Sequence, residues 1–170
     1  MQYKHQRVEQ IRQQIREPYG QLQQLIEGPL AEVPETQLHE QILPGEWTIM
    51  QSLAHIVEFL PYWAREFEKL VKAPGNAFGR THTHEGRLQA VREHAADSLQ
   101  QIRSNLPESY ADLDTVLATL SERDLELTGL HPKYGERTLD WFINEFVTIH
   151  LVEHLQQIQA CLHALTEKQG

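Results

Sequence analysis

Residues 138–166 read TLDWFINEFVTIHLVEHLQQIQACLHALT, and this stretch decides the fold. It is long and holds neither proline nor glycine. Ile143, Phe146, Val147, Ile158 and Cys161 recur at helical spacing and draw one apolar stripe along it. His150 and His154 stand four positions apart, so they share a face about one turn apart, and they fall in the middle of that stripe. An imidazole facing a helical core without a partner costs about 1–3 kcal/mol. Two of them there have two solutions: separate satisfaction by nearby carbonyls or carboxylates, or one metal ion held in common. The paired spacing favours the ion.

The same period recurs upstream. Val8, Ile11, Ile15, Tyr19, Leu22 and Ile26 form a first helix that Pro18 is expected to kink or restart and Gly28-Pro29 to end. Thr48, with Gln51 three positions on, is a capping-box start for a second helix. Its core face carries Leu53, Ile56, Leu60, Ala64 and Phe67, Pro61 is expected to bend it, and Ala73-Pro74-Gly75-Asn76 to stop it. A third helix is expected over 83–106, with Leu88, Val91, Ala95, Leu99 and Ile102 inward and Pro107 ending it. A shorter helical segment follows over 109–120 and continues through 121–127. No run alternates with period two and no Asn-Gly or Asp-Gly pair occurs, so no strand is expected. The fold expectation is all-α: an antiparallel four-helix bundle with an extra short helical segment, residues 1–170 forming one domain.

Composition narrows the function. Fifteen basic residues against 24 acidic give a net charge of −9 over 170 residues. That argues against a nucleic-acid partner, which needs a positive footprint, and against an anionic membrane surface. No stretch approaches the roughly 18 apolar residues of a membrane span. The polar start, Met1 to Arg7, lacks the apolar core of a signal peptide, so a cytoplasmic protein is expected. Cys161 stands alone, which excludes an intrachain disulfide and any multi-cysteine metal site. Ten histidines are the unusual count.

His55 is the best third ligand, and geometry alone leaves it open. It falls about 40° from Phe59 on the helical wheel, at the edge of its stripe, where a surface histidine and a ligand facing a cleft are equally consistent. His84 precedes Leu88 by one turn and either lines the same cavity or caps a helix start. His5, His39, His82, His94, His131 and His163 show no such placement, and His94 and His163 are expected in solvent. Glu58, Tyr62 and Glu66 neighbour His55 on its helix, with Glu58 expected on a solvated face. His150 to His154 also spells H-x-x-E-H, the inverted zinc-protease pattern. Glu153 leans off the apolar face and only Glu167 offers a carboxylate downstream, so the two histidines survive as ligands and Glu153 as a base does not. Phosphate loops and nucleophile elbows are absent, and Cys161 reads as a small core residue.

Gly45-Glu46-Trp47-Thr48 followed by Leu53-Ala54-His55-Ile56, together with Thr138-Leu139-Asp140-Trp141 and His150-x-x-x-His154-Leu155-x-x-Ile158, resembles the signature of the DinB/YfiT-like superfamily over almost the whole chain. The resemblance implies a four-helix bundle with a divalent metal, zinc or nickel, held by one histidine of the second helix and two of the last. Matched by position these are His55, His150 and His154, which lifts His55 to an expected ligand. Mycothiol-dependent isomerases carry glutamate at the position of His150; this chain keeps histidine. The resemblance further implies homodimers, and either thiol S-transfer with bacillithiol or mycothiol or, by fold analogy alone, metal-dependent hydrolysis.

The expected function is therefore metal-dependent thiol S-transfer to an electrophilic small molecule, with no catalytic side chain assigned. A hydrolase activating water and a non-catalytic, metal-stabilised stress-response binding module are the alternatives, a bundle without metal being a further plain option. Ile149 and Val152, apolar beyond the main stripe of the last helix, are candidate positions of a homodimer interface.

Overall fold

The computed structural model describes residues 6–167, apart from the side chains of Ala90 and His94. Four long helical elements form the bundle. They are α1 (Gln6–Glu27), α3 (Ile49–Lys72), α5 (Leu99–Thr119), and a last element in which α6 (Leu139–Ile143) passes through a π turn (Asn144–Ile149) into α7 (His150–Glu167). A short α2 (Glu35–Leu38) lies between α1 and α3, and α4 (Glu85–His94) between α3 and α5. The expected stripes fill the core: Ile15, Leu22, Leu53, Leu60, Phe67, Ile102, Val147 and Ile158 are all buried. Thr48 caps α3 as its sequence implies, its side chain accepting from Gln51 N while Gln51 reaches back to Thr48 N.

Packing order matters more than helix count. Both α1 and α3 pack against α5 and against the last element, so α1 and α3 occupy opposite corners. In a simple up-and-down bundle, sequence neighbours are spatial neighbours, and the second and fourth long helices face each other across a diagonal. Here they are adjacent, which brings the His55 helix beside the His150 and His154 helix.

Three expectations fail. Pro18 does not restart α1 and Pro107 does not end α5; both helices run through them. Ile102, Leu106, Leu113 and Leu117 keep one buried stripe on both sides of Pro107, and that packing outweighs the one lost backbone bond. The expected 83–106 helix is instead broken at 95–98. Ser98 accepts from Gln101 N in a second capping box, and Glu35 accepts from Leu99 N at 3.0 Å. With that break Leu88 turns outward and is exposed. Finally, two strands exist. β1 (Thr128–His131) pairs antiparallel with β2 (Gly135–Thr138), and Ala77 bridges to Leu130. Pro132-Lys133-Tyr134 turns the hairpin, and Gly135 takes the φ of +70° that closes it. Strands of four residues are too short to show a period.

Candidate metal centre

Three imidazoles meet where α3 crosses the last element. Nε2 of His55 lies 2.9 Å from Nε2 of His150, which lies 3.3 Å from Nε2 of His154. Nitrogens held about 2.0–2.1 Å from a zinc ion at tetrahedral angles stand about 3.3 Å apart. The donor spacing therefore fits an ion of that size. Trp47 lies against His55 and His154, and Phe59 against His55 and His150, which gives the cluster apolar walls. This is the physical content of the 45–48 motif: Trp47 walls the cluster, Thr48 caps α3, and Glu46 accepts from Gln157 Nε2 at 2.9 Å.

Burial and neighbouring groups keep all three rings neutral. Burial is the largest cause for each. His150 is pushed down to about 3, with His55 and Arg87 adding, and His154 to about 2, with His150 and His55 adding. His55 is lowered as well. Neutral imidazoles offer lone pairs, which a cation requires.

The tautomer of His55 follows from its surroundings. Arg87 Nη2, which can only donate, lies 3.5 Å from His55 Nε2. The ring proton then belongs on Nδ1, which faces Glu58 Oε2 at 3.6 Å. Glu58 is itself paired with Arg80, whose guanidinium lies 3.6 Å over the Tyr62 ring. Among the described residues, His55 Nδ1, Glu58 Oε2 and His154 Nδ1 are buried without a hydrogen bond. Nδ1 of an imidazole points away from its Nε2, so these atoms belong to the groups behind the rings; what the cluster itself leaves open is the meeting of three neutral Nε2 atoms, where a cation fits.

One side of the cluster opens into a cleft of about 230 Å³. His55 and His150 form its floor, Trp63 and Phe146 stack along one wall at 4.3 Å, and Arg80, Arg87 and Lys133 bring positive charge. Gly79, at φ +73°, passes under Trp63 and His131 so closely that a Cβ would come within 3.0 Å of both rings.

The sequence matches the DinB superfamily over residues 14–158. The chain belongs to the DinB superfamily. Solved structures share the fold. YfiT from Bacillus subtilis, described as a probable metal-dependent hydrolase with an unusual four-helix bundle topology, superposes with a TM-score of 0.70 at 17% identity, covering 90% of this chain and 86% of that one. The four-helix bundle protein TT2238 gives 0.63 at 18%, covering 90% and 98%. A mycothiol-dependent maleylpyruvate isomerase gives 0.60 at 17%, covering 93% of this chain and 59% of that longer one. Among curated proteins none matches.

Within this DinB bundle the three expected histidines come together; His154 is buried as expected, but the burial of His55 and His150 reverses the expectation. His55, expected at the stripe's edge, is 2% exposed, because α3 buries nearly its whole circumference. His150, expected mid-stripe, has a side chain 33% exposed and faces the cleft. The π turn just before it is the reason: by taking up one extra residue it rotates the buried face of the last element, which leaves His150 at its cleft-side edge while His154, Ile158 and Cys161 stay within it. Glu58 also departs from expectation. Its side chain is 10% exposed rather than solvated, and it orients His55. Glu66 instead accepts from Gly79 N and pairs with Lys69.

His84 precedes α4 exposed, makes no capping bond and stays outside the cluster. His131, expected to play no part, is buried at the cleft. It donates from Nε2 to Arg80 O at 3.1 Å and accepts at Nδ1 from Lys133 N and Tyr134 N, pinning the hairpin to the 77–81 segment. No helical wheel could place it, since it sits on a strand. His82 lines the cleft, while His39 and His163 pair with Glu35 and Glu167. His5 and the side chain of His94 lie outside the described residues. Cys161 is core, as expected, with burial pushing its thiol up. No helix is long and apolar enough to cross a membrane among the described residues.

Proposed function

We propose that this chain is a divalent-metal-dependent enzyme that transfers a low-molecular-weight thiol to an electrophilic small molecule. His55, His150 and His154 would hold one ion, zinc or nickel. The observation that carries the reading is the convergence of three neutral Nε2 atoms at ligand spacing, two of them, those of His55 and His150, on histidines that line an open cleft. When bound, the ion supplies positive charge that lowers the pKa of a thiol or water brought to it. The protein's own groups do the rest. Glu58, clamped by Arg80, fixes the tautomer and angle of His55. Trp47 and Phe59 keep water from the back of the cluster. Trp63 and Phe146 offer an apolar wall for the electrophile. The cleft lining contains no cysteine, so the nucleophilic sulfur comes with a co-substrate, and the thiol dependence named for the isomerase of like fold supports this. The thiol's S–H bond breaks and its proton leaves to solvent; the sulfur bonds to the electrophilic carbon as that carbon's π bond opens, and the displaced electron pair takes up a proton from solvent, so the thiol adds across the double bond with no change of oxidation state overall.

Hydrolysis is the second reading, favoured by Glu145 at the cleft and by Glu153, set aside as a base on the helical wheel but brought to the cleft lining by the fold; either can take a proton from water. Assembly as a homodimer in the cytoplasm completes the proposal, although Ile149 lines the cleft rather than a free face. Light scattering tests the dimer: a single-chain mass at micromolar concentration refutes it.

Elemental analysis of protein purified without a histidine tag is the first test, with about one equivalent of divalent metal per chain expected. Cobalt-substituted protein should then change its visible spectrum when a small thiol is added, because an open site exchanges ligands and a closed structural one does not. Electrophile consumption that needs metal but no thiol selects hydrolysis. Metal-free native protein refutes both readings, and a silent spectrum without turnover points to a binding module.

A further inference from the structure

The cleft carries a cation that, among the described residues, makes no ion pair with a carboxylate. Of its positive side chains, Arg80 is committed to Glu58 and Tyr62, and Lys133 lies over Tyr134. Arg87 is different. It is half-buried, its guanidinium sits over the Trp47 ring, Nη1 donates to His82 O at 2.7 Å, and Nη2 reaches toward His55 at 3.5 Å. Among the described residues no carboxylate pairs with it. A half-buried guanidinium without a direct ion pair is costly to keep: burial and the charge of Arg80 press on it, and Glu58, already paired with Arg80, offsets them only from a distance. It has five donors in a planar fork, and two are used. In a chain of net charge −9, the cleft is lined by three cations against Glu145 and Glu153.

We propose that Arg87 is a carboxylate-binding subsite, and that the ligand of the cleft is a small molecule carrying a carboxylate a few ångströms from its reacting group. A single free fork matches a planar carboxylate bidentately. Phosphate would call for more converging donors, and Arg80 is already spent on Glu58. The subsite lies beside His55, so an anchored ligand presents its other end to the cluster. Arg87 thereby gives the proposed reaction its substrate class, and that class rests on the metal-dependent reading.

The experiment is isothermal titration with three probes. Zinc-loaded protein is titrated with mercaptosuccinate and with 2-mercaptoethanol, and metal-free protein with succinate. Wild type should bind mercaptosuccinate about tenfold or more tighter than 2-mercaptoethanol. Arg87→Gln should close that gap to about twofold while metal content stays unchanged, and Arg87→Lys should keep part of it. Succinate should bind the metal-free wild type and lose about tenfold in Arg87→Gln. No preference for mercaptosuccinate in wild type, or a preference that survives in both variants with native near-UV circular dichroism, overturns the subsite. If zinc never loads, the metal-dependent reading falls on its own, and the succinate titration alone decides on Arg87.

Discussion

Two polar clusters of this bundle, one between α1 and α5 and one between α3 and the last element, are balanced differently. Between α1 and α5, Arg12 makes a two-pronged pair with Asp114, Nε to Oδ1 at 2.9 Å and Nη2 to Oδ2 at 2.8 Å, with Glu9 alongside. Each charge there has its partner inside the protein. Between α3 and the last element, three neutral histidines turn their Nε2 atoms on one another, and beside them Arg87 makes no ion pair with a carboxylate among the described residues. The first cluster is finished by the fold. The second is finished only by what binds, and unmet bonding capacity of that kind separates a site from a staple.

Removing the histidines tests this contrast most strongly. His55→Ala, His150→Ala and His154→Ala should each strip most of the metal, measured by elemental analysis, whereas Arg12→Ala and Asp114→Ala should leave it in place. Stability separates the three. His55 is fully buried, so His55→Ala should cost metal-free protein about 2–4 kcal/mol in urea unfolding, and the cleft-facing His150→Ala under about 1 kcal/mol. The opposite order would mean that the π turn does not set the register.

That register shows where the sequence stops being legible. Stripes at 3.6-residue spacing and the Thr48 and Gln51 box reveal α1, α3 and the last element, because each is a local pattern. The Ser98 and Gln101 box carries the same signal in residues 98–101, and the Leu88 to Ile102 stripe masks it. The π turn is not local in this sense: an ideal wheel has no place for an extra residue, so it misplaces His150, while His55 is misplaced because its own wheel cannot show that α3 is covered on nearly every side. Nor can spacing say that α3 and the last element are neighbours. Motifs matched by position bring His55, His150 and His154 together, but Glu58 emerges only when Arg80, 22 positions away, folds onto it.

Glu58 gives the next largest effect. Glu58→Gln keeps the shape, removes the charge behind His55 Nδ1, and should weaken zinc binding about 10–100-fold in a chelator competition. Asp114→Asn, its counterpart in the balanced cluster, should not change zinc affinity. Equal losses in both would mean that the effect is general destabilisation.

Acid should divide the clusters more gently. An ordinary imidazole is half protonated near pH 6.5, and metal sites built from such rings weaken there. With His150 held down near 3 and His154 near 2, protons do not compete with the ion until far lower pH. Zinc affinity corrected for the competing chelator should therefore stay flat from about pH 7.5 through 6.5. A tenfold fall across that interval would show that the rings titrate like free imidazole.

The smallest effect belongs to the balanced pair, and its sign is fixed. The Arg12 guanidinium holds the Asp114 carboxyl below its usual range. A carboxyl whose folded pKa is depressed contributes stability that is fully present above its unfolded value, about 3.9, and is lost as pH falls through the folded value. Asp114→Asn should accordingly cost about 1 kcal/mol at pH 7, the worth of a well-formed, partly exposed pair. The difference from wild type should shrink as denaturation is repeated at pH 4 and then pH 3. Metal content at pH 7 should be identical in the two proteins. A stability gap that stays constant down to pH 3 would show that Asp114 contributes through packing, and the contrast between a finished and an unfinished cluster would then rest on the histidine end alone.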